Sequence, residues 1–166
     1  KFQLLMATSP CPCGNYGNPD KVCLCSEKSI RNYWHKFSAP LIDRIAIRFD
    51  CNAKDDEEEF SLKEIREMVS RAFERQMRRQ GKRNQWLNPQ EVLEFCKLTD
   101  DAKNKLDEAT VHYDLSQRTI TNILKVALTL ADMHDTDEQE KIGMEYITDA
   151  LKLRGELPEI ARYTCE

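Results

Sequence analysis

The stretch from Ser116 to Ala131, SQRTITNILKVALTLA, carries the clearest hydrophobic pattern in the chain. Its apolar residues recur three and four positions apart, as they do along one face of an α-helix. They are Ile120, Ile123, Leu124, Ala127, Leu130 and Ala131. Ser116 can cap this helix, because a Ser side chain accepts a hydrogen bond from a free N–H of the first turn. The pattern predicts a helix that buries one face against other elements.

Outward from this stretch, the neighbouring sequence also favours helices. Ser61-Leu62-Lys63-Glu64 has the form of a capping box, Asn88-Pro89 can open a short helix, and Thr99 can cap another. The apolar face predicted after Ser61 consists of Ile65, Met68, Val69, Ala72, Phe73 and Met77. A last apolar pattern lies near Tyr146 to Leu151. We therefore predict that residues 61–154 form an all-α domain of about five helices.

The first third of the chain predicts a different structure. Phe2 to Ala7 forms a short apolar run that we interpret as a buried strand, and Ile45, Ile47 and Phe49 alternate as in a second strand. Ser26 can cap a helix between them. Two strands alone do not make a stable sheet. We therefore expect residues 1–54 to be the C-terminal part of an α/β core whose other strands precede Lys1.

Five adjacent carboxylates, Asp55 to Glu59, separate these two regions. Like charges repel one another and gain nothing from burial, which predicts a linker over residues 55–60. We predict that residues 155–166 form a C-terminal tail. The fold class predicted for the whole chain is mainly α, with a small α/β remnant before the helical domain.

Composition excludes some classes of protein. The chain has 166 residues, a formal net charge of −4 and 33% charged residues. This balance argues against a surface built throughout to attract nucleic acid, and no apolar run approaches the ~20 residues of a membrane-spanning helix. With no secretory signal in the sequence, we expect a cytoplasmic protein without a membrane partner.

Four cysteines are paired in sequence as Cys11-Pro12-Cys13 and Cys23-Leu24-Cys25, with nine residues between the pairs. Four thiolates can close a tetrahedral zinc shell, and a loop with two glycines can bring both pairs together. A closed shell of four sulfurs would be structural, since it leaves no position for substrate. The alternative is four unligated thiols. The remaining cysteines, Cys51, Cys96 and Cys165, are isolated.

The sequence lacks a phosphate-binding loop. The pattern GxxxxGK[ST] requires Gly five residues before a Gly-Lys pair. Gly81-Lys82 is the one such pair, and Gln76 and Arg83 occupy the flanking positions of the pattern. By itself the chain should neither bind ATP tightly nor hydrolyse it.

Basic residues are concentrated near Trp86. They are Arg71, Arg75, Arg78, Arg79, Lys82 and Arg83. Such a patch could contact nucleic-acid phosphates. Alternatively, it is a solvated helix face whose cations complement the C-terminal end of the helix dipole.

Several segments together resemble one protein family. They are Met6-Ala7-Thr8-Ser9-Pro10-Cys11-Pro12-Cys13-Gly14, Cys23-Leu24-Cys25-Ser26, Ile30-Arg31-Asn32-Tyr33, Ser38-Ala39-Pro40-Leu41-Ile42-Asp43-Arg44-Ile45, Phe95-Cys96-Lys97-Leu98, Leu115-Ser116-Gln117-Arg118 and Lys125-Val126-Ala127-Leu128-Thr129-Leu130-Ala131-Asp132. In this order they resemble the magnesium-chelatase-like AAA+ ATPases of the competence-associated ComM/YifB branch. The resemblance implies that residues 1–54 belong to an AAA+ core and residues 61–154 to its helical lid.

The resemblance implies roles for three residues. Arg44 matches the arginine finger, which reaches into the ATP site of a neighbouring subunit. Arg118 matches sensor 2, a lid arginine that contacts the γ-phosphate in its own subunit. Ser9 occupies the sensor 1 position, where the family normally has Asn, and a hydroxyl is shorter and offers one donor. The four-cysteine loop also occurs in many relatives.

The resemblance implies a motor that works as a homo-oligomer, and we expect a hexamer for the full-length protein. It would use ATP and Mg²⁺ in the full-length protein to remodel a macromolecule, with DNA as the substrate class of this branch. This chain would supply Arg44 and Arg118 but not the Walker A and B motifs. Two alternatives stay open: the ATPase subunit of a true magnesium chelatase, and a zinc-stapled helical module that binds nucleic acid or protein.

Overall fold

A computed structural model of the chain describes residues 3–49, 51, 60–134 and 141–155. These residues are mainly helical, which confirms the mainly α part of the predicted fold class. The α-helices are α1 (Glu27–Trp34), α2 (Ala39–Arg44), α3 (Leu62–Gln80), α4 (Pro89–Phe95), α5 (Asp100–Tyr113), α6 (Gln117–Met133) and α7 (Met144–Leu153), with a 3₁₀ turn at Asn84–Trp86. None of these helices is long and apolar enough to span a membrane.

The described residues divide into two compact units. The first contains residues 3–45 and 51, and the second contains residues 46–49, 60–134 and 141–155. The predicted linker lies outside the described residues except for Phe60, and so does the predicted tail except for Gly155.

Side-chain caps begin five of the helices where the sequence predicts a start. In each case the side chain accepts a hydrogen bond from a backbone N–H three residues later. The caps are Ser26, Ser61, Asn88, Thr99 and Ser116. At α3 and α4 the bond is reciprocal, because Glu64 and Glu91 accept from the backbone N–H of the cap residue. These bonds satisfy N–H groups that have no partner inside the helix.

The core of the second unit forms around α6. This helix packs against α3, α4, α7 and the 3₁₀ turn, and α5 packs against α7. On α6, Ile123, Leu124 and Ala127 are buried as predicted, together with Leu128. The remaining core side chains come from all the neighbouring elements and include Val92, Leu106 and Ile147. The long apolar stripe of α6 therefore organises the helical unit.

The apolar face predicted for α3 is only partly correct. Ala72 is buried, but Ile65, Val69 and Phe73 are 43%, 55% and 43% exposed. The face that α3 presents to α6 is polar toward its C-terminal end, where Gln76 is buried with Ala72. The helix is therefore rotated relative to the face that hydrophobicity alone selects.

The two predicted strands are absent from the described residues. Leu4 and Leu5 are 59% and 94% exposed, and Ile47 and Phe49 are also exposed. A strand is stabilised by pairing with a neighbouring strand, and neither segment has such a partner in the part of the chain that the structure describes. The expected buried strand at residues 2–7 is thus wrong for the described residues 3–7.

The chain after α1 forms another short helix, for which the sequence analysis predicted no start. Ser38-Ala39-Pro40 begins this helix, α2. Proline is tolerated in the first turn, where its missing N–H would have no intrahelical partner. The short helix α2 ends at Arg44, so this candidate residue lies in the last turn of a helix.

Candidate functional site

The four cysteines predicted to act together lie side by side in the first unit. The Sγ atoms of Cys11, Cys13, Cys23 and Cys25 all lie within 4.8 Å of one another. The separation is 3.4 Å between Cys11 and Cys13, 3.7 Å between Cys11 and Cys23, and 3.6 Å between Cys13 and Cys23. We call these four residues the thiol cluster.

The spacing in the thiol cluster fits a metal shell better than disulfides. A tetrahedral zinc site with Zn–S bonds of ~2.3 Å places its sulfurs ~3.8 Å apart. A disulfide needs an S–S distance of about 2.05 Å, and all four cysteines are free. The donor set and its spacing therefore suit a closed structural zinc site.

Local turns and an aromatic core hold the thiol cluster in place. Gly14 and Gly17 have φ angles of +80° and +78°, which L side chains rarely adopt. Cys11 is fully buried in a small core with Ile30 and Trp34 of α1. The Trp34 indole N–H donates to the carbonyl oxygen of Pro10 at 2.9 Å. Helix α1 thus anchors the loop that carries the thiols.

Hydrogen bonds separate the acidities of the thiols. The backbone N–H of Asn15, followed by the thiols of Cys11 and Cys25, lowers the pKa of Cys13 to about 6. The hydrogen bond to Cys13, together with burial, raises the pKa of Cys25 to about 12. Four thiols in contact cannot all ionise without a neighbouring positive charge. A divalent cation would supply that charge and hold every sulfur as a thiolate.

Arg44 lies on the surface of the first unit, at the last residue of α2. Its Nη1 donates to the carbonyl oxygen of Pro40 at 2.6 Å, four residues earlier in the same helix. The side chain is exposed, so its guanidinium is accessible to an external ligand. Ser9 is also exposed and lies in irregular backbone.

Arg118 lies at the start of α6 in the second unit. It is the second residue of the helix, two positions after the cap Ser116, and it is exposed. The N-terminus of a helix carries a partial positive charge that favours anions. Next to it, Thr119 is only 2% exposed and accepts a hydrogen bond from Nη2 of Arg154 at 2.9 Å.

A buried polar network that the sequence analysis missed joins α3 to α6. Arg79 donates to both carboxylate oxygens of Asp132, at 2.6 and 2.9 Å. The Asn84 side-chain amide also donates to Asp132, at 2.9 Å, and its backbone N–H donates to Oε1 of Gln76 at 3.0 Å. Asp132 follows buried Leu128 by four residues. An acidic residue at such a core position was the signal for a buried cation partner.

The predicted basic patch is therefore partly internal to the fold. Besides Arg79, Arg75 donates to the carbonyl oxygen of Asp132 at 3.2 Å, and Lys82 pairs with Glu91. The guanidinium of Arg83 lies 5.4 Å from the centre of the Phe73 ring. These contacts reduce the charge available to nucleic acid.

Comparison with known protein families assigns the chain to one of them. The profile of the magnesium chelatase subunit ChlI C-terminal domain matches residues 59–154, and that of the magnesium chelatase subunit ChlI matches residues 1–59. The chain belongs to the family of the magnesium chelatase subunit ChlI C-terminal domain. As the sequence resemblance implied, the magnesium chelatase match makes this chain a member of the AAA+ ATPases.

Its relatives include the uncharacterized protein YifB of Escherichia coli (strain K12), 31% identical over 162 residues. The competence protein ComM of Haemophilus influenzae is 32% identical over 164 residues, and the uncharacterized protein Rv2897c of Mycobacterium tuberculosis is 29% identical over 166 residues. Each alignment covers 93% of this chain. The chain spans 31% of the length of these curated relatives. The resemblance to the ComM/YifB branch is thus confirmed.

Proposed function

We propose that this chain supplies the arginine finger and the helical lid of an AAA+ ATPase motor. The observation that carries the proposal is the placement of Arg44 and Arg118. Both guanidinium groups are exposed, and each lies in a terminal turn of a helix. These are the two residues for which the family resemblance implies phosphate contacts. The chain lacks a phosphate-binding loop, so it completes a composite site rather than forming one alone.

The two arginines would act on opposite sides of the nucleotide. Bound ATP with Mg²⁺ would supply the transferable γ-phosphoryl group. Arg118 would contact it within the same subunit, since a guanidinium can donate two parallel hydrogen bonds to phosphate oxygens. Arg44 would approach from the neighbouring subunit and stabilise the charge of the transition state. An exposed, helix-anchored cation suits this task because it needs no rearrangement of its own unit.

Action in trans requires more than one copy of the protein. We propose a homo-oligomer, a hexamer in the full-length protein, in the cytoplasm. Its substrate class would be DNA, which is consistent with a relative named competence protein ComM. Ser9 would add at most a single hydroxyl contact at the sensor 1 position.

The metal-insertion activity of magnesium chelatase is the rival function. The resemblance of the four-cysteine loop to the ComM/YifB branch, together with a relative named competence protein ComM, favours the DNA-remodelling proposal instead. A chelatase assay on the full-length protein separates the two, because the proposed motor should not insert Mg²⁺ into a porphyrin.

The proposed lid contact predicts a selective loss of ATP affinity. In the full-length protein, Arg118→Ala should weaken binding of a non-hydrolysable ATP analogue about tenfold relative to ADP, as expected for one lost charge-assisted hydrogen bond. Titration calorimetry with both nucleotides measures this ratio. An unchanged ratio would remove Arg118 from the nucleotide site and with it the proposed lid role.

The thiol cluster predicts about one zinc ion per chain when the protein is purified without chelator. Cys13→Ser should lower this content toward zero, because the shell would lose one of its four thiolates. Cys51→Ser is the matched control, since Cys51 is exposed and lies outside the thiol cluster. Elemental analysis measures the metal content. A wild-type chain without zinc, or equal zinc in both variants, would contradict the site.

A further inference from the structure

The C-terminal end of α7 is held by a segment from much earlier in the chain. The backbone N–H of Arg48 donates to the carbonyl oxygen of Leu153 at 2.7 Å. The Nε of the same arginine donates to the carbonyl oxygen of Arg154, also at 2.7 Å. The last carbonyl groups of a helix have no partner inside it and interact favourably with cations. Arg48 therefore fixes the main chain of Arg154.

Gly155 makes this close approach possible. Its φ angle is +52°, and a Cβ built at this position would lie 2.5 Å from the backbone oxygen of Arg48. A side chain here would be strained by its backbone conformation and would collide with backbone rather than with a movable side-chain tip. The contact between the 46–49 segment and the end of α7 thus depends on glycine at position 155.

With its main chain fixed, Arg154 directs its side chain to the first turn of α6. Its Nη2 donates to Oγ1 of Thr119 at 2.9 Å. The Ser116 hydroxyl donates to the same Thr119 oxygen at 3.1 Å and accepts from the Thr119 backbone N–H, also at 3.1 Å. Thr119 is buried and directly follows Arg118. Arg154 is therefore bonded to the turn from which Arg118 projects.

We propose that Arg154 is a positioning residue for Arg118. The inference rests on the proposed function, because it assumes that Arg118 contacts the nucleotide. Arg154 acts through Thr119, because its hydrogen bond holds the capped first turn of α6 in one orientation. The backbone of Arg118 is thereby fixed, which limits the positions that its exposed guanidinium can reach. Arg48 and Gly155 support it by holding its main chain. A contact that must meet a phosphate group benefits from such preorganisation.

The test measures nucleotide affinity in the full-length protein, with a non-hydrolysable ATP analogue and ADP as probes. Thr119→Val removes the acceptor oxygen but keeps the shape and charges, and Arg154→Met removes the donor. Each substitution should weaken binding of the ATP analogue relative to binding of ADP by about three- to tenfold, which is in the range of one hydrogen bond to a charged group. Gly155→Ala should shift the ratio in the same direction by displacing the main chain of Arg154.

A double substitution distinguishes positioning from a separate effect. If Arg154 acts through Arg118, then Arg118→Ala combined with Arg154→Met should have the same ATP-to-ADP ratio as Arg118→Ala alone. Additive losses would show that Arg154 acts independently and would overturn the proposal. Thermal unfolding of each variant identifies any that fail to fold, and Thr119→Val, the most conservative change, then decides the result.

Lys152→Met is the matched control for loss of charge near the end of α7. Lys152 is exposed and pairs with Asp149 on the same helix. Lys152→Met should leave the ratio of ATP-analogue affinity to ADP affinity unchanged. If Arg118→Ala itself leaves the ratio unchanged, the proposed lid function fails. If Arg118→Ala acts while Thr119→Val and Arg154→Met have no effect, only the positioning role of Arg154 is overturned.

Discussion

Replacement of Arg44 by Ala in the full-length protein should lower the rate of ATP hydrolysis by ~10³–10⁵, the range measured for arginine fingers. ATP binding should be largely retained, because the finger stabilises charge that develops only in the transition state. Folding should also be retained. Arg44 is exposed, and its hydrogen bond to Pro40 lies within its own helix. Phosphate release and nucleotide titration measure the two effects separately.

Arg31→Ala provides the matched control for Arg44. Arg31 is an exposed arginine on another helix of the same unit, and its partner Glu27 also lies on that helix. Its replacement removes the same charge and should leave hydrolysis near the wild-type rate. Wild-type turnover by the Arg44 variant would exclude the finger assignment.

A mixing experiment tests whether Arg44 acts in trans. Arg44→Ala subunits would be combined with subunits whose own phosphate-binding loop has been inactivated. Each population is expected to be inactive alone, but a mixed oligomer pairs an intact nucleotide site with an intact finger. Activity should therefore reappear on mixing. Persistent inactivity, with mixed oligomers shown to form, would argue that Arg44 does not serve a neighbouring site.

Local signals predicted the helical part of the fold well. Cap residues such as Ser61 and Ser116 mark helix starts because their side chains satisfy N–H groups within three residues. The stripe of α6 is equally local, since buried residues recur along one helix face. The rotation of α3 was not predictable in this way. The buried pair at this face joins Arg79 to Asp132, 53 residues apart, and hydrophobic periodicity does not identify the partner of a buried acidic residue.

The candidate sites also differ in how far the sequence alone identifies them. Cys11, Cys13, Cys23 and Cys25 were found from spacing, because tetrahedral thiolate coordination imposes a recognisable pattern. Single arginines have no such pattern, so Arg44 and Arg118 were selected by resemblance alone. The contact of Arg154 with Thr119 spans 35 residues and that of Arg48 with Arg154 spans 106. Only the folded chain brings these groups together.

The second large effect is expected at Asp132, on the stability of this 166-residue chain. Asp132 is 4% exposed, and its carboxylate accepts two hydrogen bonds from Arg79 and one from Asn84. Asp132→Ala would leave the guanidinium of Arg79, whose side chain is 28% exposed, without its counter-charge. Breaking a buried ion pair on one side costs about 3–5 kcal/mol. Urea unfolding followed by helical circular dichroism measures the loss.

Two further variants separate the buried pair from a general effect of lost charge. Asp149→Ala removes an exposed carboxylate that pairs with Lys152 on α7, and exposed pairs of this kind contribute about 0–1 kcal/mol. Arg79→Met combined with Asp132→Ala removes both charges, so the double variant should lose less stability than the two single losses added together. Strict additivity, or equal effects of Asp132→Ala and Asp149→Ala, would mean that the network does not hold α3 against α6. The rotation of α3 would then require another cause.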